Sequence, residues 1–136
     1  MSKLRTILYI TSYEDASKIE DAKKILNLDF IIERQKGEEM EINGEKKDRP
    51  NLSSCLAFEI EKEEIKHINE GLKPMVEKIK YFKEEFRILQ TLKFDISICL
   101  VITIKEFFVP VIALDLFTIE VLNDLGCRVV FDIYWE

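Results

Sequence analysis

The strongest constraint on the fold comes from residues 94–105, where apolar and mixed positions alternate without a break. One side of this alternation is wholly apolar and consists of Phe94, Ile96, Ile98, Leu100, Ile102 and Ile104. The other side is mixed and consists of Asp95, Ser97, Cys99, Val101, Thr103 and Lys105. Because successive side chains of a strand point to opposite faces, the pattern predicts a β-strand with one buried face and one partly solvated face.

Three further segments, residues 3–11, 52–61 and 127–135, divide in the same way into an apolar and a mixed side. In the last of them the apolar side consists of Cys127, Val129, Phe131, Ile133 and Trp135. A sheet covered by helices on both faces would be apolar on both sides of its strands. The sequence therefore predicts an α+β fold, with a single sheet that is mainly antiparallel or mixed and with the helices on one face.

Helical periodicity dominates the segment between the second and third of these strands. From about Glu63, apolar residues recur at steps of three and four as far as Phe86. Pro74 interrupts the pattern, so we predict two helical pieces, with Pro74 opening the second, where a missing N–H costs nothing. Asp115 as the N-cap and Gly126 as the stop predict a further helix before the last strand.

Residues 30–51 are the least regular part of the chain. Residues 30–32 are apolar and suit a short strand. The segment 33–49 is highly charged and contains an Asn43–Gly44 pair, which favours a tight hairpin turn because both residues tolerate positive φ. We expect a loop or a loose hairpin here.

Composition limits the function classes open to the chain. Its 136 residues suffice for one core, so we expect a single domain over residues 1–136. The formal charge of −6 argues against nucleic-acid binding, which needs a basic surface. No apolar run approaches the roughly 20 residues that span a bilayer, so we expect no membrane partner. Three cysteines without a Cys-x-x-Cys spacing, and no signal-peptide pattern, favour free thiols and a cytoplasmic location.

Metal and catalytic chemistry find little support in the sequence. His67 is the only histidine, and Glu63, Glu64 and Glu70 stand about one helical turn from it. Charged residues at this spacing usually form a solvated helix face, and a lone histidine makes a catalytic triad improbable. We therefore assign no catalytic, cofactor-binding or metal-binding residue, and expect no cofactor.

The mixed face of the predicted sheet is the best candidate for a partner surface. It would carry Arg5, Tyr9, Glu59, Thr103, Asp132 and Tyr134. Tyrosine and arginine are enriched in interfaces because each combines contact area with a polar tip. The alternative interpretation is that the charged members only form cross-strand pairs, each worth a few tenths of a kcal/mol.

The chain resembles a bacterial family known as domain of unknown function 4279. The resemblance is carried by residues 110–116, by the Leu125–Gly126 helix end, by the closing segment 130–134, and by the helix with Leu72 and Pro74. Residues 25–28 and the Lys36–Gly37 pair match further parts of the pattern, so nearly the whole chain is covered. The chain departs from it with Asn27 in place of a glycine and without a tryptophan near Leu52.

The resemblance implies a bacterial source and no established activity, although some relatives look like immunity proteins encoded beside toxins. We therefore expect a small, acidic, cytoplasmic protein-binding module of unknown function, with a toxin-neutralising role as one form of it. Two alternatives stay open: a small enzyme that uses carboxylates, and a structural homodimer formed through the mixed face. Acidic side chains converging in a closed pocket would favour the enzyme, and an open sheet face would favour binding.

Overall fold

The computed structural model describes residues 2–14, 18–42 and 44–136. In chain order the elements are β1 (Ser2–Ser12), α1 (Lys18–Ile25), β2 (Ile31–Arg34), β3 (Glu39–Ile42), β4 (Glu45–Pro50), β5 (Ser54–Ile65), α2 (Asn69–Ile79), α3 (Lys83–Thr91), β6 (Asp95–Ile104), α4 (Leu116–Leu125) and β7 (Arg128–Trp135). Within these described ranges, no helix is both long and apolar enough to cross a membrane.

Five strands form one sheet in the order β2-β5-β1-β6-β7. β1 pairs antiparallel with β5 and β6, and β2 pairs antiparallel with β5. β6 and β7 are parallel, and α4 lies in the connection between them, as a parallel pair requires a long crossover. The four predicted strands therefore share one mainly antiparallel, mixed sheet, and β2 adds a fifth.

All four helices bury their apolar stripes against the same face of this sheet. One core cluster contains Ile19 from α1, Leu72 from α2, Phe86 from α3 and Leu122 from α4. The sheet contributes alternate residues of its central strands, among them Leu4, Leu8, Ile10, Ile98, Leu100 and Ile102, each with 0% exposure. The predicted α+β fold, with helices on one face of the sheet, is confirmed.

The ends of α4 follow the predicted local chemistry. Asp115 has an extended backbone, and its Oδ1 accepts a hydrogen bond of 2.8 Å from the backbone N–H of Thr118. Gly126 ends the helix with φ of 68°, a left-handed conformation that disfavours residues with a Cβ. Cap and stop are therefore those that the sequence indicates.

The helical segment before β6 differs from its prediction in two ways. Pro74 lies inside α2, and the break between α2 and α3 falls at residues 80–82. Pro74 lies in the second turn of α2, so its missing N–H removes the hydrogen bond to the carbonyl four residues earlier, in the first turn. The helix continues through the proline to Ile79. The first helix also begins at Asn69 instead of near Glu63, because β5 continues to Ile65 in its ladder with β1.

The charged segment forms the loose hairpin that its composition suggests. β3 and β4 pair antiparallel as a separate two-stranded sheet, with a register irregularity between Glu39 and Glu41. Gly44 in the turn has φ of 80°, while Asn43 lies outside the described residues. The predicted short strand appears as β2.

The apolar side of β7 is less buried than predicted. Val129 packs against the core, but Phe131 and Ile133 are each 43% exposed and Trp135 is 63% exposed. The alternation itself is right, because Phe131 is paired with the buried Leu100 of β6. The difference arises because the helices pack mainly against β5, β1 and β6 and leave the outer part of β7 uncovered.

Candidate functional site

The strand registers bring most of the predicted surface residues together on the open face of the sheet. Arg5 lies opposite Val101, which lies beside Asp132 on β7, and Thr103 lies beside Tyr134. Arg5, Tyr9, Thr103, Asp132 and Tyr134 line one open groove of about 660 Å³ across β1, β6 and β7. We call this the open-face groove. Five of the six predicted residues therefore form one continuous surface.

Glu59, the sixth predicted residue, stands beside the open-face groove and binds Arg5. The Arg5 Nε and Nη2 donate to Glu59 Oε1 at 3.0 and 2.6 Å. A second cross-strand ion pair joins Lys3 to Glu61 on the same two strands. Glu59 therefore orients the arginine, and the cross-strand pairing that the sequence allows is present alongside the groove.

Asp132 and Tyr134 form the polar wall of the open-face groove on β7. They are two residues apart on one strand, so they share a face, and the Tyr134 hydroxyl donates to Asp132 Oδ2 at 2.9 Å. This hydrogen bond raises the pKa of Tyr134. Tyr134 is still 53% exposed, so its ring presents both a flat apolar surface and a polar tip.

The floor of the open-face groove is apolar. Ile7 lies on the open side of β1 yet is only 3% exposed, because Cys99 and Glu59 flank it on the neighbouring strands. Val101 continues the floor on β6. An apolar centre ringed by charged and aromatic residues is the arrangement found in protein interfaces.

None of the three cysteines, all of which lie in the described residues, forms a disulfide. Burial raises the pKa of Cys127 to about 12. Burial, and then the negative charge of Asp132, raises the pKa of Cys99, which lies in the open-face groove. Both thiols are thus protonated at neutral pH, the opposite of what a nucleophilic cysteine needs.

His67 and Glu70 accept backbone N–H groups where the chain enters α2. Glu70 Oε2 accepts from the backbone N–H groups of Lys66 and His67 at 2.6 and 2.7 Å, which lowers the pKa of Glu70. His67 Nδ1 accepts from the backbone N–H of Asn69 at 3.0 Å. In the described part of the chain, no three His, Cys, Asp or Glu side chains group as metal ligands would. Of the acids near His67, Glu70 thus shapes the start of α2.

An exposed apolar segment after β6 was missed by the sequence interpretation. Phe107 is 91% exposed, and the others in the segment are Phe108, Val109, Val111 and Ile112, all at least 40% exposed. The sequence does show five apolar residues between a strand and a helix cap, and this pattern could have indicated an apolar loop. Their accessibility depends on the tertiary structure, because the alternation that assigns a face to a strand residue is absent from a loop.

No protein-family model matches this chain, and no curated protein or solved structure is significantly similar to it.

Proposed function

We propose that this chain is a protein-binding module and that the open-face groove is the surface that contacts its protein partner. The observation that carries the proposal is the convergence of Arg5, Tyr9, Asp132 and Tyr134 around the apolar floor at Ile7. Aromatic and arginine side chains over a desolvated centre supply most of the binding energy in typical interfaces. The open shape of the groove suits a macromolecular surface better than an enclosed small molecule.

The carboxylates of the chain support binding over acid–base catalysis. Asp132 is joined to Tyr134 and faces an open groove, and Glu59 is paired with Arg5. The pKa values of Glu61, Glu70 and Asp115 are lowered, for Glu61 by its ion pair with Lys3 and for Glu70 and Asp115 by backbone N–H donors. A catalytic carboxylic acid usually has a raised pKa.

The class of partner is proposed from the family resemblance. Some relatives in domain of unknown function 4279 look like immunity proteins, so we propose a toxin-type protein as the partner and the bacterial cytoplasm as the place of contact. An acidic chain with a net charge of −6 would associate faster with a basic partner, because long-range attraction raises the association rate.

Site-specific photo-crosslinking in the native cell tests the proposal. A benzophenone amino acid placed at Tyr134, in the open-face groove, should capture a protein other than a second copy of the chain. The same amino acid at Tyr81 is the matched control, because Tyr81 is a tyrosine with 80% exposure between α2 and α3. Equal capture from both positions, or none from Tyr134, would contradict the proposal.

The affinity of the chain for the captured protein tests the proposal quantitatively. Replacing Tyr134 and Asp132 together with alanine should weaken the complex about 30-fold, the effect of losing about 2 kcal/mol at an interface. The circular dichroism spectrum should stay unchanged, because Tyr134 is exposed and neither side chain belongs to the core cluster. A folded double variant with undiminished affinity would exclude the open-face groove.

A further inference from the structure

β7 forms an open edge of the sheet. Among the described strands, β6 is the neighbour of β7 in the sheet, on one side only. The backbone N–H of Glu136 donates to the carbonyl of Ile104 at 3.0 Å, so even-numbered residues of this segment turn their backbone groups toward β6. Val129, Phe131 and Ile133 therefore point their N–H and C=O groups away from the sheet. Such a row of groups is a template for another strand.

The two edges of the sheet differ in how well they are protected. The opposite edge, β2, has only four residues and an irregular register between Ile32 and Arg34. β7 pairs with β6 through eight consecutive positions without a register shift. It contains no proline or lysine, its charged residues are Arg128 and Asp132 alone, and its apolar residues Val130, Phe131 and Ile133 are 41–43% exposed. Proteins usually protect a long edge with charges, proline or bulges.

We propose that β7 pairs antiparallel with β7 of a second copy of this chain, about a two-fold axis at Phe131. The charges of residues 128–136 are complementary to themselves in this arrangement, because Arg128 lies at one end while Asp132 and Glu136 lie toward the other. Arg128 also pairs with Asp95 of its own chain at 2.7 Å, and its side chain is still 65% exposed and within reach of a second copy. An in-register parallel pair would set each of these charges beside its like. The antiparallel pair sets Arg128 opposite Tyr134 of the second copy, diagonal to its Asp132 and Glu136.

The side chains that would face each other distinguish between the possible antiparallel registers. Centring on Phe131 places Val129 opposite Ile133 of the second copy and aligns residues 128–134 throughout. Centring on Asp132 would oppose two aspartates, and like charges directly opposite destabilise a pair. Centring on Val130 would set Arg128 directly opposite Asp132, but it would also set Ile133 opposite Cys127, which precedes the start of β7, and so would shorten the ladder within β7 to residues 128–132. The register at Phe131 therefore combines the longest ladder with unlike charges.

Dimerisation in this register would place both open-face grooves side by side. Paired residues of an antiparallel ladder share a face, so two five-stranded sheets would join into one continuous sheet with both open faces on the same side. The contact uses the strand edge and leaves Tyr9, Arg5 and Thr103 accessible. The same contact sets Arg128 of the second copy beside Tyr134 and Asp132, so variants at these two residues affect both the dimer and the groove. Ile133 lies on the other face of the sheet, beside Ile102, so a variant there tests the dimer separately from the groove.

Sedimentation velocity over a dilution series tests the pairing. The unmodified chain should be dimeric and dissociate reversibly on dilution. Ile133→Glu should raise the dimer dissociation constant at least about 30-fold, as loss of a central apolar contact does at an interface. Ile88→Glu is the matched control, because Ile88 on α3 has similar exposure (49%) and should not change the constant. A chain that is monomeric at every concentration, or a dimer that survives Ile133→Glu, would overturn the proposal.

If Ile133→Glu fails to fold, a charge-exchange experiment at Arg128 and Asp132 tests the same dimer. Arg128 is 65% exposed at its side chain, and Arg128→Glu should weaken the dimer about tenfold by adding a third acid to each end of the contact. Adding Asp132→Arg to this variant restores unlike charges and should recover most of the affinity. If Arg128→Glu leaves the dimer unchanged, the antiparallel charge pairing is wrong.

Disulfide capture tests the register. Phe131→Cys should form a disulfide between two copies under mild oxidation, because directly opposed residues of a hydrogen-bonded pair lie about 5.5 Å apart at Cα, within disulfide range. Asp132→Cys is the control, and should not link to itself. Peptide mass analysis separates these products from any involving Cys55, Cys99 or Cys127. A self-link at position 132 in place of 131 would overturn the register.

Discussion

Two acidic residues, Glu70 and Asp115, show how single side chains fix helix starts in this protein. Asp115 accepts the backbone N–H of Thr118 in the first turn of α4, where that donor has no partner within the helix. Glu70, in the first turn of α2, accepts the backbone N–H groups of Lys66 and His67 in the segment that leads into the helix. The carboxylate form makes the stronger hydrogen bonds, so the pKa of each group is lowered. Both residues therefore link folding stability to pH in the acid range.

Glu70→Gln should lower the stability of the protein at neutral pH and have little effect in strong acid. A group whose folded pKa is depressed adds stability above its unfolded pKa, and this is lost as pH falls through the folded value. The difference between the two proteins should thus be full above about pH 5, begin to shrink near the ordinary glutamate pKa of about 4.3, and vanish only below the lower pKa that Glu70 has in the folded protein. Denaturant titrations across pH measure it. A difference that grows toward low pH would show that Glu70 does not act through its charge.

Leu100 and Phe131 are adjacent in the β6–β7 register yet should differ strongly in their contribution to stability. Leu100→Ala should cost about 2–5 kcal/mol, because Leu100 is fully buried and its loss leaves a cavity. Phe131→Ala should cost only about 1 kcal/mol, because Phe131 is 43% exposed and its removal loses only about half of the burial free energy of a fully buried phenylalanine. Unfolding titrations of dilute protein, in which β7 is not paired with a second copy of the chain, provide the comparison. Equal costs would place Phe131 in the core.

Among the elements, β5 illustrates how pairing between distant strands overrides a helical periodicity in the local sequence. Residues near Glu63 and Ile65 fit a helical stripe, but they continue the strand because Ser2 of β1 pairs with Ile65. Glu64 has φ of 55°, an uncommon value for a residue with a side chain, and lies in the register irregularity between Lys62 and Ile65 of the β1–β5 ladder. The helix begins only after this strand has ended, at Asn69.

The end of α4 depends on a backbone conformation that favours glycine. Gly126→Ala should destabilise the protein by about 1–2 kcal/mol, because a Cβ is strained at φ of 68°. The Cβ would also lie 2.6 Å from Nε2 of Gln90, whose amide donates to the carbonyl of Leu125 at 3.1 Å. Gly126→Asn should cost less, because asparagine tolerates this region better. Chemical denaturation ranks the variants, and an unchanged alanine variant would exclude this role for the glycine.

On the scale of the whole molecule, the sheet is wider than the helical layer that covers it. The helices pack mainly on β5, β1 and β6, so the central strands are enclosed on one side while β7 extends past the cover. The other face carries the open-face groove. The groove thus exists because the described helices cover only one face of the sheet, whereas the exposure of β7 follows from the mismatch in width.

Hydrogen exchange should follow the same layout. Amides of β1 and β6 should exchange most slowly, because these strands have hydrogen-bonded neighbours on both sides and a buried face. Amides of the β3–β4 hairpin, a separate two-stranded sheet, should exchange fastest among the strands. The outward amides of Phe131 and Ile133 should gain protection as the protein concentration rises. Rapid exchange in β1 would contradict the assigned strand order.

Much of the fold was predictable because its signals are local. The alternation at residues 94–105 assigns a face to every residue of β6, and the cap and stop of α4 are properties of Asp115 and Gly126 themselves. The grouping of Arg5, Tyr9, Thr103, Asp132 and Tyr134 followed from the same alternation once the strands were assumed to share a sheet. The class of the fold and the members of the groove could thus be derived without coordinates.

The sequence by itself determined which residues share a side of each strand or helix, since side-chain direction follows from the backbone period. Only the tertiary structure decided how much of each side is covered. Phe131 and Ile133 have the pattern of core residues, yet they lie beyond the helices, while Ile7 on the open face is buried by its neighbours. Burial depends on which strands become neighbours and where the helices end, and these are set by contacts between distant parts of the chain. The open edge at β7 arises for the same reason, because a strand is an edge only in relation to the sheet.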